Sequence, residues 1–174
     1  HSFSRALATS VALGRADLDT ILLRRRKNET LEKNYARTCL EEAAASGNSI
    51  GLALHGHKRV RGKVLSNGKY DFQFLEDGAG DPIDIHKTHV KYGYDPADFK
   101  LLRKVHSIDN HVKKQSLDPI LRVKDRFHFK NLTLQRSMDE GKLVEVMTLE
   151  GDSFRGVVTW FGRWEFGLKV KGGA

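Results

Sequence analysis

"SFRGVVTWFGRWEFGLKVKGG" (Ser153–Gly173) and "RVRGKVLSNGKYDFQFLEDGA" (Arg59–Ala79) share one frame, R-G-x-V-x-x-x-G-[K/R]-[Y/W]-[D/E]-F, followed by a further Gly. The fixed points are Arg61/Arg155, Gly62/Gly156, Val64/Val158, Gly68/Gly162, Lys69/Arg163, Tyr70/Trp164, Asp71/Glu165, Phe72/Phe166 and Gly78/Gly172, and every pair is offset by 94 positions. A repeat of this length in constant register implies two copies of one small module. The competing reading is two ordinary strand pairs that look alike.

Outward from the first copy, Ile50, Leu52 and Leu54 alternate, then Val60 and Val64, then Tyr70, Phe72 and Phe74. Turn signals separate them at "HGHK", "SNGK" and "DGAGDP", and "IDIHKTHVKYGY" gives a last strand or two. About five short antiparallel strands after a helix predict a small, strongly bent barrel. Gly62 falls mid-strand, where such a barrel must bend.

Upstream, Ala16–Asn48 has no Pro and no Gly until Gly47, and Leu18, Ile21, Leu22, Leu31, Tyr35, Cys39 and Leu40 recur at helical spacing. This predicts one or two helices, divided at Asn28 as a cap and stopped at "SGN". Before the second copy, Leu132, Leu134 and Met138 predict a short helix ended by Gly141. Strands follow at 144–149, 154–160 and 164–170, with no counterpart of "IDIHKTHVKYGY". The second barrel is therefore expected to be C-terminally incomplete, leaving an exposed edge. A cut chain end and a neighbour that completes the barrel both fit.

The chain thus divides into an N-terminal helical segment (1–47), a first barrel (48–95), a connector (96–130) and a second barrel (131–174). The connector can hold a helix after Pro96. Between Ala97 and Lys130 it carries nine Lys or Arg against four Asp, an excess of five of the chain's net +8. A solvated charged face and a phosphate-contacting surface both account for such a run.

A net charge of +8 favours a polyanionic partner, nucleic acid first and an anionic membrane second. No apolar run reaches the ~20 residues of a membrane span. The single cysteine, Cys39, can form no intramolecular disulfide, so a reducing, cytoplasmic compartment is expected. "HSFSRALATSVALGR" has Ser, Ala and Arg but no acid, the composition of a transit peptide or of a frayed helix.

The order of helix, glycine-bent strands, "DG" turn and short final strand resembles the Sm fold, and within it the Hfq family of bacterial RNA chaperones. "EGDSFRGVVTWFGRWEFGLKV" is similar to the Hfq segment with a Phe just before a short turn and an aromatic just after it. Phe161 and Trp164 occupy those places, and the first copy has Asn67 and Tyr70 there. The Lys-His pair with which the family ends its barrel stands here as His86-Lys87, in reverse order, with His89 two positions on. The resemblance covers roughly half of the chain, in two blocks. It implies a mainly β chain with N-terminal helices and two five-stranded Sm-like (SH3-like) barrels, each preceded by a helix. It also implies binding of single-stranded, U- or A-rich RNA in post-transcriptional regulation, and self-association as a trimer of tandem barrels or a hexamer.

Cations for phosphates and flat rings for bases are what such binding needs. The expected RNA-binding residues are Arg61, Lys69, Tyr70, His86, Lys87, His89, Arg155, Phe161, Arg163 and Trp164. Phe72 and Phe166 alternate with them along the strands and are expected in the core. "RRRK" (Arg24–Lys27) lies on the N-terminal helix, which the resemblance places against RNA. "HGH" and "HKTH" bring histidines together, but no Cys pair accompanies them, so no metal or other cofactor is expected. No nucleophile elbow, P-loop or dinucleotide fingerprint is present, and no enzymatic activity is expected. The alternative is a small-barrel protein–protein interaction or assembly module without RNA binding.

Overall fold

The computed structural model describes residues 15–171, with side chains from Leu18 onward. The stretch with transit-peptide composition therefore lies, but for its last residue, outside the described residues.

Helix α1 (Arg15–Lys33) runs through Asn28 without a break. Asn28 lies mid-helix, and an Arg25–Glu29 ion pair at 2.9 Å spans the turn around it. The division comes later, at 34–38. There Thr38 takes an extended conformation, and its hydroxyl accepts the Glu41 N–H at 3.1 Å to start α2 (Cys39–Ser46). Gly47 ends α2 with a left-handed φ of 66°.

The first sheet contains β1 (Ile50–Leu54), β2 (Lys58–Asn67), β3 (Asp71–Glu76), β4 (Ile83–His86) and β5 (Val90–Tyr94), in the order β4-β3-β2-β1-β5. The connector follows with α3 (Phe99–Val105), β6 (Ser107–Ile108) and α4 (Asn110–Lys114). Helix α5 (Asn131–Glu140), β7 (Leu143–Met147), β8 (Asp152–Phe161) and β9 (Phe166–Val170) complete the chain. The second sheet has the order β6-β8-β7, with β9 also on β8.

The expectation of a mainly β chain with two five-stranded barrels is corrected. The fold is mixed α/β, with one five-stranded and one four-stranded antiparallel sheet, and neither closes. In the first sheet β4 pairs β3 and β5 pairs β1, so the outer strands lie at opposite edges. In the second, no described strand pairs the outer edge of β9, and the connector supplies β6 instead.

The repeat is nonetheless written into the hydrogen-bond ladders. Ile50↔Gly62 and Val144↔Gly156 are equivalent pairs, as are Val64↔Phe74 and Val158↔Leu168. The register slips at the same place in both, between Val64 and Ser66 and between Val158 and Trp160. The tight turns match too: Gly68 N–H donates to the Asp71 carbonyl and Gly162 N–H to the Glu165 carbonyl, each at 2.9 Å. Gly141 ends α5 in the left-handed region, as Gly47 ends α2.

The two cores are unequal. The first unites Leu40 and Ala43 of α2 with Ile50, Leu52, Leu54, Val60, Val64, Phe72, Phe74 and Ile85. The rings of Phe72 and Phe74 meet edge to face at 6.3 Å. The second buries Leu134, Val158 and Phe161 with partial cover from Leu31, Met138, Val144, Phe166 and Leu168. Leu31 comes from α1, and Arg26 of that helix pairs with Asp139 of α5 at 2.9 Å. The N-terminal segment therefore serves both units: α1 packs on the second and α2 on the first.

Candidate nucleic-acid interface

Two fastenings hold the units together. At one, the Glu165 carboxylate in the β8–β9 turn accepts the Cys39 N–H at 2.8 Å, at the start of α2. Burial raises the Glu165 pKa, against the lowering effects of Cys39 and of the nearby Lys87 charge. Burial, followed by the Glu165 charge, also pushes the Cys39 thiol far up, which favours the un-ionised form.

The other fastening is an ion cluster that the sequence reading missed. Lys91 of β5 has a side chain 3% exposed, and its ammonium donates to Glu150 at 2.5 Å and to Asp152 at 2.6 Å. Asp152 also takes the Thr148 hydroxyl at 2.9 Å and lies 2.8 Å from His106 Nε2. Glu150 accepts the Gly56 N–H of the β1–β2 turn at 2.7 Å. Burial alone would raise the Asp152 pKa, but the hydrogen bonds from Lys91, His106 and Thr148 win and hold it down to about 2. The only sequence signal was the acid-Gly-acid turn at 150–152, and nothing local identifies its distant partner. His55 and His57 lie within 4.0 Å of Glu150. Among the described residues no three His, Cys, Asp or Glu are grouped to hold a metal ion.

Between the units lies an open cavity of about 2500 Å³. Of the ten residues expected to bind RNA, Lys69, Tyr70, His86, Lys87, Arg163 and Trp164 line it. On the first wall the Lys69 ammonium sits 5.0 Å from the centre of the Tyr70 ring, which is 61% exposed. The Lys87 N–H donates to the Tyr70 carbonyl at 2.8 Å, bringing the turn after β4 against the β2–β3 hairpin. His86 Nδ1 lies 2.6 Å from the Thr88 hydroxyl. On the second wall the Arg163 guanidinium lies 4.5 Å from the centre of the Trp164 ring, which is 55% exposed. Arg163 also donates to the Tyr35 hydroxyl. Repeat positions thus place the same device, a cation beside an exposed ring, twice in the lining of one cavity.

The other four expected residues stand outside the lining. Arg61 pairs with Asp77 at 2.9 Å, and Arg155 with Glu145 at 3.2 Å. His89 packs its ring 6.3 Å from His86. Phe161 is a correction: it is 0% exposed in the second core and offers no face to a base. Its partner position Asn67 instead donates from the amide to Glu41 at 2.6 Å. Of the run on α1, Lys27 lines the cavity.

No helix among the described residues is long and apolar enough to cross a membrane. No family model, curated protein or solved structure matches the chain.

Proposed function

We propose that this chain binds single-stranded RNA in the cavity between its two units, without catalysis, and acts in post-transcriptional regulation in the cytoplasm. The observation that carries this reading is the pair Lys69/Tyr70 and Arg163/Trp164 on the walls of one cavity. A sequence-tolerant binder needs exposed rings for base stacking and cations along the backbone. The net charge of +8 supplies the long-range attraction, and the resemblance to the Hfq segment points the same way. Self-association belongs to this reading, because among the described residues no strand pairs the outer edge of β4 in the first sheet, an edge through which copies can pair.

That same edge of β4 favours the second reading, an assembly module that binds no RNA. Light scattering coupled to size exclusion, with and without oligo-U and oligo-A at low and high salt, separates the two. RNA binding predicts a complex whose log affinity falls with log salt by about 0.7 per phosphate neutralised. An oligomer indifferent to both RNAs at low salt would falsify the RNA reading and leave the assembly module.

A further inference from the structure

The chain between Ile120 and Lys130 is tied down by its polar side chains and presents its apolar ones. Arg126 donates from Nε to the Ile120 carbonyl and from Nη2 to the Leu121 carbonyl, both at 2.9 Å. His128 Nε2 lies 3.3 Å from the Val123 carbonyl oxygen. Alternate residues thereby fasten the segment to the turn just before it. Phe129 anchors the far end, its ring 4.9 Å from that of Phe166 on β9. Phe127, between the fastened residues, is 80% exposed, the most exposed large hydrophobic among the described residues.

Folding gains little from a ring left in water, yet the neighbours of Phe127 hold the backbone that presents it. Arg126 to Lys130 all line the cavity that holds Tyr70 and Trp164. Arg126 is spent on carbonyls, but Arg122, Lys124 and Lys130 flank Phe127 in sequence against the single acid Asp125, and of these Lys130 lines the cavity. An exposed ring among cations suits a polyanion with flat faces better than it suits an apolar protein surface.

We propose that residues 126–130 form a third RNA-binding element, a strap on which Phe127 stacks one base of the bound strand while Lys130 meets a neighbouring phosphate. This rests on the cavity being an RNA site, as proposed above.

The test is fluorescence anisotropy of labelled oligo-U and oligo-A with the full chain and with Phe127→Ala, Phe127→Leu, Phe127→Tyr and Trp164→Ala. Urea melts of each variant verify folding, and exposed Phe127 has little packing to lose. Phe127→Ala and Phe127→Leu are expected to weaken binding roughly 5- to 150-fold, and Phe127→Tyr to stay within about twofold of the parent. If Trp164→Ala weakens binding while Phe127→Ala does not, the strap is overturned and the cavity reading stands. If Phe127→Leu binds as tightly as the parent, base stacking at this position is overturned. If the parent chain binds neither oligonucleotide, the cavity reading itself has failed, and the strap with it.

Discussion

The Lys91 ammonium lies 2.6 Å from the Asp152 carboxylate, and the two side chains are 3% and 6% exposed. They come from different units, β5 of the first sheet and the start of β8 in the second. Two charges taken out of water must satisfy each other, so the pair enforces one docking of the units more than it adds stability. Above it, Tyr92 and Phe154 pack edge to face at 4.9 Å and close the contact.

Lys91→Met should therefore be strongly destabilising. It removes the cation and leaves Glu150 and Asp152 buried together, a loss of about 3–5 kcal/mol for breaking a buried pair. Urea unfolding reads this as a lower midpoint. A midpoint unchanged from the parent would mean that water reaches the carboxylates and that the cluster does not hold the units.

The same cluster sets the response to acid. The folded-state pKa of Asp152 is about 2 against an ordinary 3.8, and that of Glu150 lies below 4.5. Burial raises both, but hydrogen bonds from Lys91 and its neighbours outweigh it. Their stabilisation is complete above the unfolded values and is lost as pH falls from there through the folded values. His55 is a base whose pKa burial lowers from 6.5, so its contribution is present above 6.5 and is lost as pH falls below it. The Lys91 pKa is raised above 10.5, because the two carboxylates overcome burial, and its contribution is lost only as alkaline pH rises through that raised value. Glu165, whose pKa burial raises above 4.5, works the other way and adds stability as pH falls through its raised value. Urea midpoints should therefore change little between about pH 8 and about pH 5 and fall steeply below about pH 4, and His55→Leu should raise the midpoint near pH 5 relative to that at pH 8.

Phe161 and Trp164 stand three positions apart and should separate stability from binding. Phe161→Ala empties the centre of the second core and should cost about 3–5 kcal/mol. Trp164→Ala removes a ring that is 55% exposed and should shift stability by about 0.5 kcal/mol or less. Under the proposed function it should weaken oligonucleotide binding by about 1–3 kcal/mol. Thermal melts and anisotropy on both variants test the contrast.

How much of this was legible follows from what local sequence encodes. The constant offset of 94 positions announced two copies, and alternation placed Phe72 and Phe166 in the cores, where Phe72 is 1% exposed and Phe166 packs partly buried against the second. Closure was not legible, because whether β4 and β5 meet depends on strand curvature and not on residue pattern. Phe161 was misplaced because a ring before a turn reads alike whether it faces bases or Leu134 and Val158. The break at Thr38 was masked by Asn28, an equally good cap that α1 passes through. Lys91, Glu150 and Asp152 meet only through docking of the two units, for which sequence spacing gives no sign.

The equivalence of the two copies makes a last prediction about Gly62 and Gly156. A Cβ on Gly62 would fall on the Leu75 carbonyl of β3, and one on Gly156 on the Lys169 carbonyl of β9. Leu75 and Lys169 are themselves repeat partners, so both glycines admit the same close crossing of a bent strand by its neighbour. The obstruction is backbone, which cannot swing aside as a side chain would. Gly62→Ala and Gly156→Ala should each destabilise by about 1–3 kcal/mol, the cost of overpacking. Gly80→Ala, with nothing within 4 Å, should change stability by about 0.5 kcal/mol or less. Urea midpoints decide it: parallel losses at 62 and 156 mean that both sheets carry the same bend. A tolerated Gly156→Ala would mean that the second copy keeps the sequence frame without the strand crossing that the frame serves in the first.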